Sequence, residues 1–516
     1  MEINEPKTLR LILGDQLNIN HSWFKKVDAS VTYLLMEVRS ETDYARHHIQ
    51  KVIGFFAAMQ SFAKELEHRK HHVIYIHLND KNNFQQFDKN CEAIISTNMF
   101  TNFEYQLPDE FRLNEHLENF VANLKIDYVV CDTEHFYSNR NELKEFFKGK
   151  KTYLMESFYR YMRKKHRVLL EGEDKPINDK WNFDKDNRQK LPKEHKPIAP
   201  FLFANDIFEI EQEIIKANIK TIGTVDSKNF IWPISRAQAM VLLDFFIENC
   251  LPFFGTFQDA MAPYEWSLYH SRLSFSMNIK LLSPKEVIDK AIEAYFKNPG
   301  QIEYHQLEGF VRQIIGWREY MRGIYWMKMP AYASLNYFEH TAELPQWFWT
   351  GKTKMECLKN AIHQSLNFAY AHHIQRLMIT GNFALLAGIH PDDVDAWYLG
   401  IYIDAIEWVE ITNTRGMSQF ADGGIVGTKP YVSSATYIDK MSSYCKGCYY
   451  DKAKKTGEKS CPFNSLYWNF YDKHEDKLAK NPRIGMMYNV WKKMETVTKT
   501  ALLTQAEYYL NHINEL

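Results

Sequence analysis

Four cysteines between Glu356 and Pro462 constrain this chain more than any other feature, because they can bring distant segments to one point. Cys445 and Cys448 form a C-x-x-C, Cys461 follows shortly after, and Cys357 lies far upstream. Two thiolates two residues apart can grip one centre from a tight turn. The segment Tyr444-Cys445-Lys446-Gly447-Cys448 supplies a glycine for backbone conformations that other residues resist. A tetrahedral sulfur cage suits zinc or an iron–sulfur cluster, and spacing leaves both open beside the plain alternative of reduced thiols. Closing such a cage would tie two remote parts of one domain together, so a structural role is the economical reading.

Upstream, the hydrophobic period divides the chain. Thr8 to Leu13, Val31 to Val38, His72 to Leu78 and Ile126 to Cys131 are short apolar runs separated by helix-like material. Between the second and third, Ile49, Val52, Ile53, Phe56, Met59, Ala63 and Leu66 recur at three- and four-residue steps. Strands alternating with helices predict a Rossmann-like parallel sheet, an α/β domain over residues 1–165. Ligands of such sheets sit beyond the carboxyl ends of the strands, which places Asp15, Glu41 and Tyr44 against a bound small molecule. From Glu171 to Pro200 the chain turns polar and reads as part of an inter-domain linker over 166–230. After it, Ala237 to Cys250, Pro284 to Phe296, Phe310 to Trp326 and Met355 to Leu386 all read as helices, so residues 231–516 are predicted to be all-α.

A chain of 516 residues has material for more than one domain. Its formal net charge of −1 announces no polyanionic partner, so a nucleic-acid site must be a local basic patch. The run Arg163-Lys164-Lys165-His166-Arg167 is one candidate, although such runs usually end a solvated helix. Met1 to Lys7 lacks an apolar leader, and no window approaches the roughly 18 apolar residues of a membrane span. Seven clustered cysteines argue against a disulfide framework and for a reducing compartment, so the expectation is a cytoplasmic monomer without membrane contact.

Further motifs carry a resemblance. Tyr370-Ala371-His372-His373-Ile374-Gln375-Arg376-Leu377-Met378, then Asp395-Ala396-Trp397-Tyr398 up to Glu410, resemble the FAD-binding domain of the photolyase/cryptochrome superfamily, specifically its bacterial iron–sulfur branch. The likeness runs from Leu11-Ile12-Leu13-Gly14-Asp15-Gln16-Leu17 to Asn481-Pro482-Arg483-Ile484-Gly485-Met486-Met487. It implies FAD, a [4Fe-4S] cluster on Cys357, Cys445, Cys448 and Cys461, and a 6,7-dimethyl-8-ribityllumazine antenna at Asp15, Glu41 and Tyr44. UV-damaged DNA is the implied partner and Mg2+ a further candidate cofactor. Within Tyr264 to Ser274, the stretch His270-Ser271-Arg272-Leu273-Ser274 resembles the flavin-pyrophosphate loop; hydroxyls beside an arginine at a helix start can cradle an anion. Arg376 and Asp404 match the ion pair beside the flavin ring, and Glu410 falls where the family faces flavin N5.

The same resemblance bears on the reaction. Ile314 stands where cyclobutane-dimer photolyases carry a glutamate, and His373 where they carry an asparagine. An imidazole can donate a proton near neutral pH, which repair of a (6-4) photoproduct needs and repair of a cyclobutane dimer does not. Neighbouring residues of one helix diverge by about 100°, so His373 is the expected donor and His372 its partner. The usual tryptophan chain is missing at Pro391 and Thr414; Trp397, Tyr398 and Trp349 resemble the alternative electron route of the iron–sulfur branch. Met417 to Pro430 reads as a mobile loop near the lesion face. The function implied is light-driven (6-4) repair, with a blue-light receptor as the alternative and a zinc-stabilised nucleic-acid-binding module as a third reading.

Overall fold

The computed structural model describes residues 7–263 and 265–516, so Tyr264 and the first six residues lie outside the described residues. The apolar runs of the first part become strands of one parallel sheet: β1 (Thr8–Leu11), β2 (Val31–Met36), β3 (His72–Ile76), β4 (Asn102–Gln106) and β5 (Asp127–Cys131), in the order β3-β2-β1-β4-β5. The central strands are nearly continuous hydrophobic runs because both faces are covered. β4 was not among the expected strands; its sequence Asn-Phe-Glu-Tyr-Gln offers only two apolar residues, Phe103 and Tyr105, both buried.

The two faces of the sheet are finished differently. Leu9, Leu11, Leu34, Met36 and Phe103 pack under α2 (Phe87–Asn98) and α3 (Phe111–Ala122) in a self-contained core. Tyr33 and Leu35, on the opposite face, meet α1 (Ile49–His68), and this core continues without interruption into the helical part of the chain. The apolar stripe of α1 read from the sequence is buried along its whole length. Gly54 is where the second layer touches: a Cβ there would lie 3.0 Å from Phe275 Cζ and 3.2 Å from Ile403 Cδ1.

The start of α1 fastens the two parts. His48 caps the helix, its Nδ1 accepting from Gln50 N at 3.0 Å, while its Nε2 donates to Leu366 O at 2.8 Å. His48 N reaches Gly400 O at 2.8 Å, and Gln50 Nε2 reaches Asn367 O at 2.6 Å and Thr224 O at 2.7 Å. Gly223 lies against this cap with φ +74, and an added Cβ would fall 1.8 Å from His48 Nε2.

The polar stretch after Glu171 is laid on the helical part: Gln189 N bonds Thr256 O at 2.8 Å, Lys190 Nζ bonds Asp439 O at 3.1 Å, and Asn187 is buried against Gly255 and Gly309. One expectation changes. The helix Arg236–Phe257 is long and apolar enough to cross a membrane by length and composition, with mean hydropathy 1.4, which the sequence reading denied to any segment. Its apolar character serves packing, since Leu242, Leu243, Phe246, Leu251 and Phe254 all enter the core. Arg163, in the basic run, is likewise buried, its guanidinium capping Val168 O at 3.1 Å and Leu169 O at 2.5 Å.

Two measurements check the α1 hub. Gly223→Ala is expected to destabilise the protein by about 2 kcal/mol or more, from left-handed strain and a displaced cap, seen as a lowered unfolding temperature. Burial holds the His48 imidazole down to about 4 from 6.5. The unfolded ring therefore takes its proton first, so stability on the order of 3 kcal/mol is present above about pH 6.5 and lost as pH falls toward 4. His48→Asn keeps an acceptor but cannot titrate, so the stability gap between variant and parent is expected to narrow between pH 7 and pH 5; a constant gap contradicts this.

Candidate active site

The Met355–Leu386 helix of the sequence reading is broken in the middle, and the break makes the site. Glu356–Phe368 ends at Ala369, whose φ of 50 stops the helix, and the chain re-enters helix only at His373. His372 is therefore a cap residue with extended backbone, and the angular argument that treated both histidines as helical does not apply. Gln375 Oε1 accepts from His372 N at 3.2 Å, and Gln375 Nε2 donates to Tyr444 Oη at 3.1 Å, which ties this turn to the cysteine segment. From Arg376 the helix widens into a π turn, 376–381.

Three expected positions meet there. Arg376 Nη2 lies 3.0 and 3.1 Å from the two oxygens of Asp404, its Nε donates to Ala371 O at 2.6 Å, and its guanidinium sits 3.8 Å over the Tyr402 ring. Ser274 Oγ donates to Asp404 Oδ2 at 2.6 Å, and Asn278 Nδ2 to Asp404 O at 2.7 Å. The rest of the 270–274 loop is mixed. Ser271 Oγ accepts from Leu273 N at 3.4 Å, whereas the Leu273 side chain is wholly buried and can offer a ligand only its backbone. Arg272, in left-handed backbone with φ 55, donates to Phe201 O at 2.7 Å and lies 5.2 Å from the Trp266 ring, leaving its buried Nε without a partner.

His270 stacks flat on His372, ring centroids 4.4 Å apart and planes 9° from parallel. Both ring nitrogens of His372 and Nε2 of His270 are buried without a hydrogen-bond partner. Burial first, then neighbouring imidazoles and Arg376, hold His372 well below the ordinary imidazole range and His270 down to about 3. His373 is different in kind: the residue is solvent-exposed, although protein packed around its imidazole desolvates it and, with Arg376 and Arg188 nearby, lowers it to about 4. An anionic group entering this space would raise both. Across the site Glu410 is buried, its Oε1 unpartnered. Burial and the Asp395 carboxylate push its carboxyl well above the usual range. Unmet donors and acceptors facing inward from several elements fit a polar planar ligand such as FAD.

The aromatic candidates divide. Trp397 is fully buried with Nε1 on Phe348 O at 3.1 Å, and its ring lies 5.3 Å from Tyr398. Tyr402, not singled out from the sequence, is 5.6 Å from Tyr398 and 5.9 Å from Trp397, and so joins them to Arg376. The four-residue step from Tyr398 to Tyr402, which closes the helix Pro391–Ile401, was the available signal. Trp349 forms no ring pair with Trp397 among the described residues; Arg46 lies 5.9 Å over it, and Phe348 takes the place beside Trp397 at 5.1 Å.

Asp15, Glu41 and Tyr44 line one cleft of about 830 Å³, partly open to solvent, beyond the carboxyl ends of β1, β2 and β4. Lys280 Nζ holds Asp15 at 3.1 Å and Asp109 at 2.8 Å. Arg112 takes both Glu41 oxygens, at 3.1 and 2.8 Å, and lies 4.4 Å over the Tyr44 ring. The sequence reading missed His47, Lys51 and Glu110 on the same wall; burial brings Lys51 down to about 8 and Glu110 up to about 8, and His47 keeps two unpartnered ring nitrogens. The far wall is Ala405 and Ile406, directly after Asp404, so this cleft and the Arg376 site share a partition.

Cys357, Cys445, Cys448 and Cys461 line a second cavity of about 320 Å³ with Met355, Ala435, Ile438, Tyr444 and Phe463. All are free thiols. Burial and the other sulfurs push Cys357 well above the thiol range; burial first takes Cys445 to about 11 and Cys461 to about 12. Thiols so placed ionise together only around a strongly positive centre. Among the described residues no group of three or more metal-ligating side chains is spaced to hold a single metal ion. Met417 to Pro430 is pinned rather than loose: the Asp422 carboxylate accepts from Gly424 N at 2.9 Å, Ile425 N at 3.2 Å, Val426 N at 2.9 Å and Tyr332 Oη at 2.9 Å.

Comparison with known proteins identifies the scaffold. Residues 10–230 match the family described as deoxyribodipyrimidine photo-lyase-related protein. The (6-4) photolyase of Agrobacterium fabrum is 40% identical over 512 residues, covering 98% of this chain and 99% of that protein. The crystal structure of a bacterial class III photolyase from Agrobacterium tumefaciens superposes with a TM-score of 0.57 at 14% identity, over 96% of this chain and 100% of that one. A Synechocystis cryptochrome gives 0.54 at 12% identity, over 81% and 83%. With the parallel sheet, the helical half and the Arg376–Asp404 site in place, the chain belongs to the photolyase/cryptochrome superfamily, in the photolyase-related branch that includes the bacterial (6-4) enzyme.

Proposed function

We propose that this protein is a (6-4) photolyase that repairs UV-damaged DNA under light, with FAD held at Arg376, Asp404, Ser274 and the 270–274 loop. One observation carries the reading: full-length similarity to a (6-4) photolyase coincides with a solvent-reachable imidazole, His373, on the rim of a buried polar site. Residues 1–165 would carry the antenna, 166–230 the connection and 231–516 the chemistry. The photoreceptor alternative draws on fold similarity alone.

When bound and reduced, FAD supplies the photoexcited electron. The Arg376–Asp404 pair, fixed from both sides by Ala371 O and Ser274 Oγ, orients the ring system. Glu410, whose raised proton affinity and unpartnered Oε1 both come from burial, is the group that would exchange a proton with a basic ring nitrogen. His373 faces the extruded nucleotide, and approach of a phosphate or a developing oxyanion raises its affinity for a proton, so that protonation and substrate arrival coincide. His372, stacked beneath by His270, keeps that wall neutral and dry. The lumazine antenna fits the Asp15, Glu41 and Tyr44 cleft, where aromatic and paired polar groups line one slot. A [4Fe-4S] cluster would be held by Cys357, Cys445, Cys448 and Cys461, which line one pocket, and would brace the Tyr444–Gln375 contact beneath the histidines. Mg2+ would assist at the DNA phosphates, and the working form would be a cytoplasmic monomer.

Three outcomes are expected. His373→Ala should retain flavin absorption but lose light-dependent restoration of a (6-4)-damaged oligonucleotide by about 10²-fold or more; repair at the parental rate sinks the assignment. Glu410→Gln should leave binding of damaged DNA intact while slowing flavin photoreduction, read as bleaching of the oxidised band under blue light. Cys357→Ser should abolish bound iron and lower the unfolding temperature, because it leaves three sulfurs around a space built for four.

A further inference from the structure

Beyond the lesion cavity, the segment from Cys445 to Cys461 carries a concentrated charge that the whole chain, at −1, does not suggest. Lys446, Lys452, Lys454, Lys455 and Lys459 stand against Asp451 and Glu458 only, and all five lysines are solvent-exposed. Lys452 pairs with Asp439 at 2.5 Å, while no ion pair engages Lys446, Lys454, Lys455 or Lys459 among the described residues. Tyr449 stands among them, 50% exposed, with Lys354 Nζ 5.6 Å and Lys459 Nζ 5.2 Å from its ring.

This loop is rigid where most lysine-rich loops are not. Asn464 Nδ2 donates to the carbonyls of Lys452 and Lys454, both at 2.9 Å. Asp451 N bonds Lys459 O at 2.8 Å, and Gly457 N bonds Gln505 Oε1 at 2.8 Å. A backbone held this way loses less freedom on meeting an anion than a mobile one. The loop is also joined to the lesion rim. Asp439 receives Lys452 on its carboxylate and Lys190 on its carbonyl, and Lys190 follows closely on Arg188, whose charge acts on His373.

We propose that the Lys446–Lys459 loop, with Tyr449, is a binding surface for the phosphate backbone of duplex DNA flanking the lesion. The inference rests on the repair reading and extends it: the cavity receives the damaged nucleotide, and the loop beyond Asp439 holds the adjoining helix. Basic groups interleaved with an exposed aromatic ring suit a phosphate-lined strand with accessible sugar and base edges. The four-cysteine cavity then has a second consequence, since Cys445 and Cys461 fix the two ends of the DNA-facing loop.

The test is salt-dependent binding of the full-chain holoprotein to a duplex oligonucleotide with and without one (6-4) lesion. Lys454→Glu/Lys455→Glu is expected to weaken both duplexes about tenfold and to reduce the steepness of log K against log salt by about 2. Turnover under light at saturating DNA, iron content and flavin absorption should match the parent. Tyr449→Ala should weaken binding severalfold with the salt slope unchanged, since stacking releases no counterions, and it serves as the independent variant if the double substitution impairs folding. Parental affinity and slope in both variants would overturn the surface. A parent protein that binds neither duplex would overturn the repair reading beneath it as well.

Discussion

Everything about this site depends on how the first turn of one helix is fastened. His48, Gln50 and Lys51 send hydrogen bonds to Leu366, Asn367, Thr224 and Leu399, so a single element fixes the sheet against the helical half. Those acceptors are functionally placed: Leu366 and Asn367 close the helix that precedes the histidines, and Leu399 sits between Tyr398 and Tyr402. The partition of Ala405 and Ile406 then separates two ligand spaces by little more than a chain's thickness. A rigid joint here fixes both the separation and the relative orientation of the two sites.

The second organising constraint is the exclusion of water from ionisable groups. His270 and His372 are held well below the ordinary imidazole range because burial outweighs any partner, and the Glu410 carboxyl is pushed up for the same reason. By contrast, the Arg376–Asp404 pair is charged and satisfied at close range. A site built mainly from neutral donors and acceptors responds strongly to a charge that arrives with substrate, because little inside screens it. His373 lies at the boundary, wet enough to exchange a proton and dry enough to feel a phosphate.

Much of this was legible in the residues. The short apolar runs and the stripe of α1 gave the parallel sheet and its first helix because hydrophobic patterning is a direct imprint of burial. β4 escaped because two buried aromatics among polar residues leave too faint a pattern. The helix break before His372 escaped for a different reason: Ala369 adopts left-handed backbone without being glycine or asparagine, and only tertiary contacts hold it there. Arg376, Asp404 and Ser274 were found through family likeness and converge as a chemical unit. Trp349 was placed by likeness too; the ring that packs against Trp397 is its neighbour Phe348, a packing detail that sequence spacing cannot resolve. The cleft residues Lys51 and Glu110 carried no signal at all, because their importance comes from packing across the partition.

The unequal closure of the sheet has a bearing on synthesis. One layer is complete as soon as β5 and α3 have left the ribosome, but the outer flank of α1 waits for Phe275 and Ile403, far later in the chain. During that interval the nascent protein presents an oily flank with Gly54 at its centre, the narrowest point to be covered. The first 165 residues expressed on their own would leave that flank uncovered, because the side chains that close over Gly54 come from the helical half.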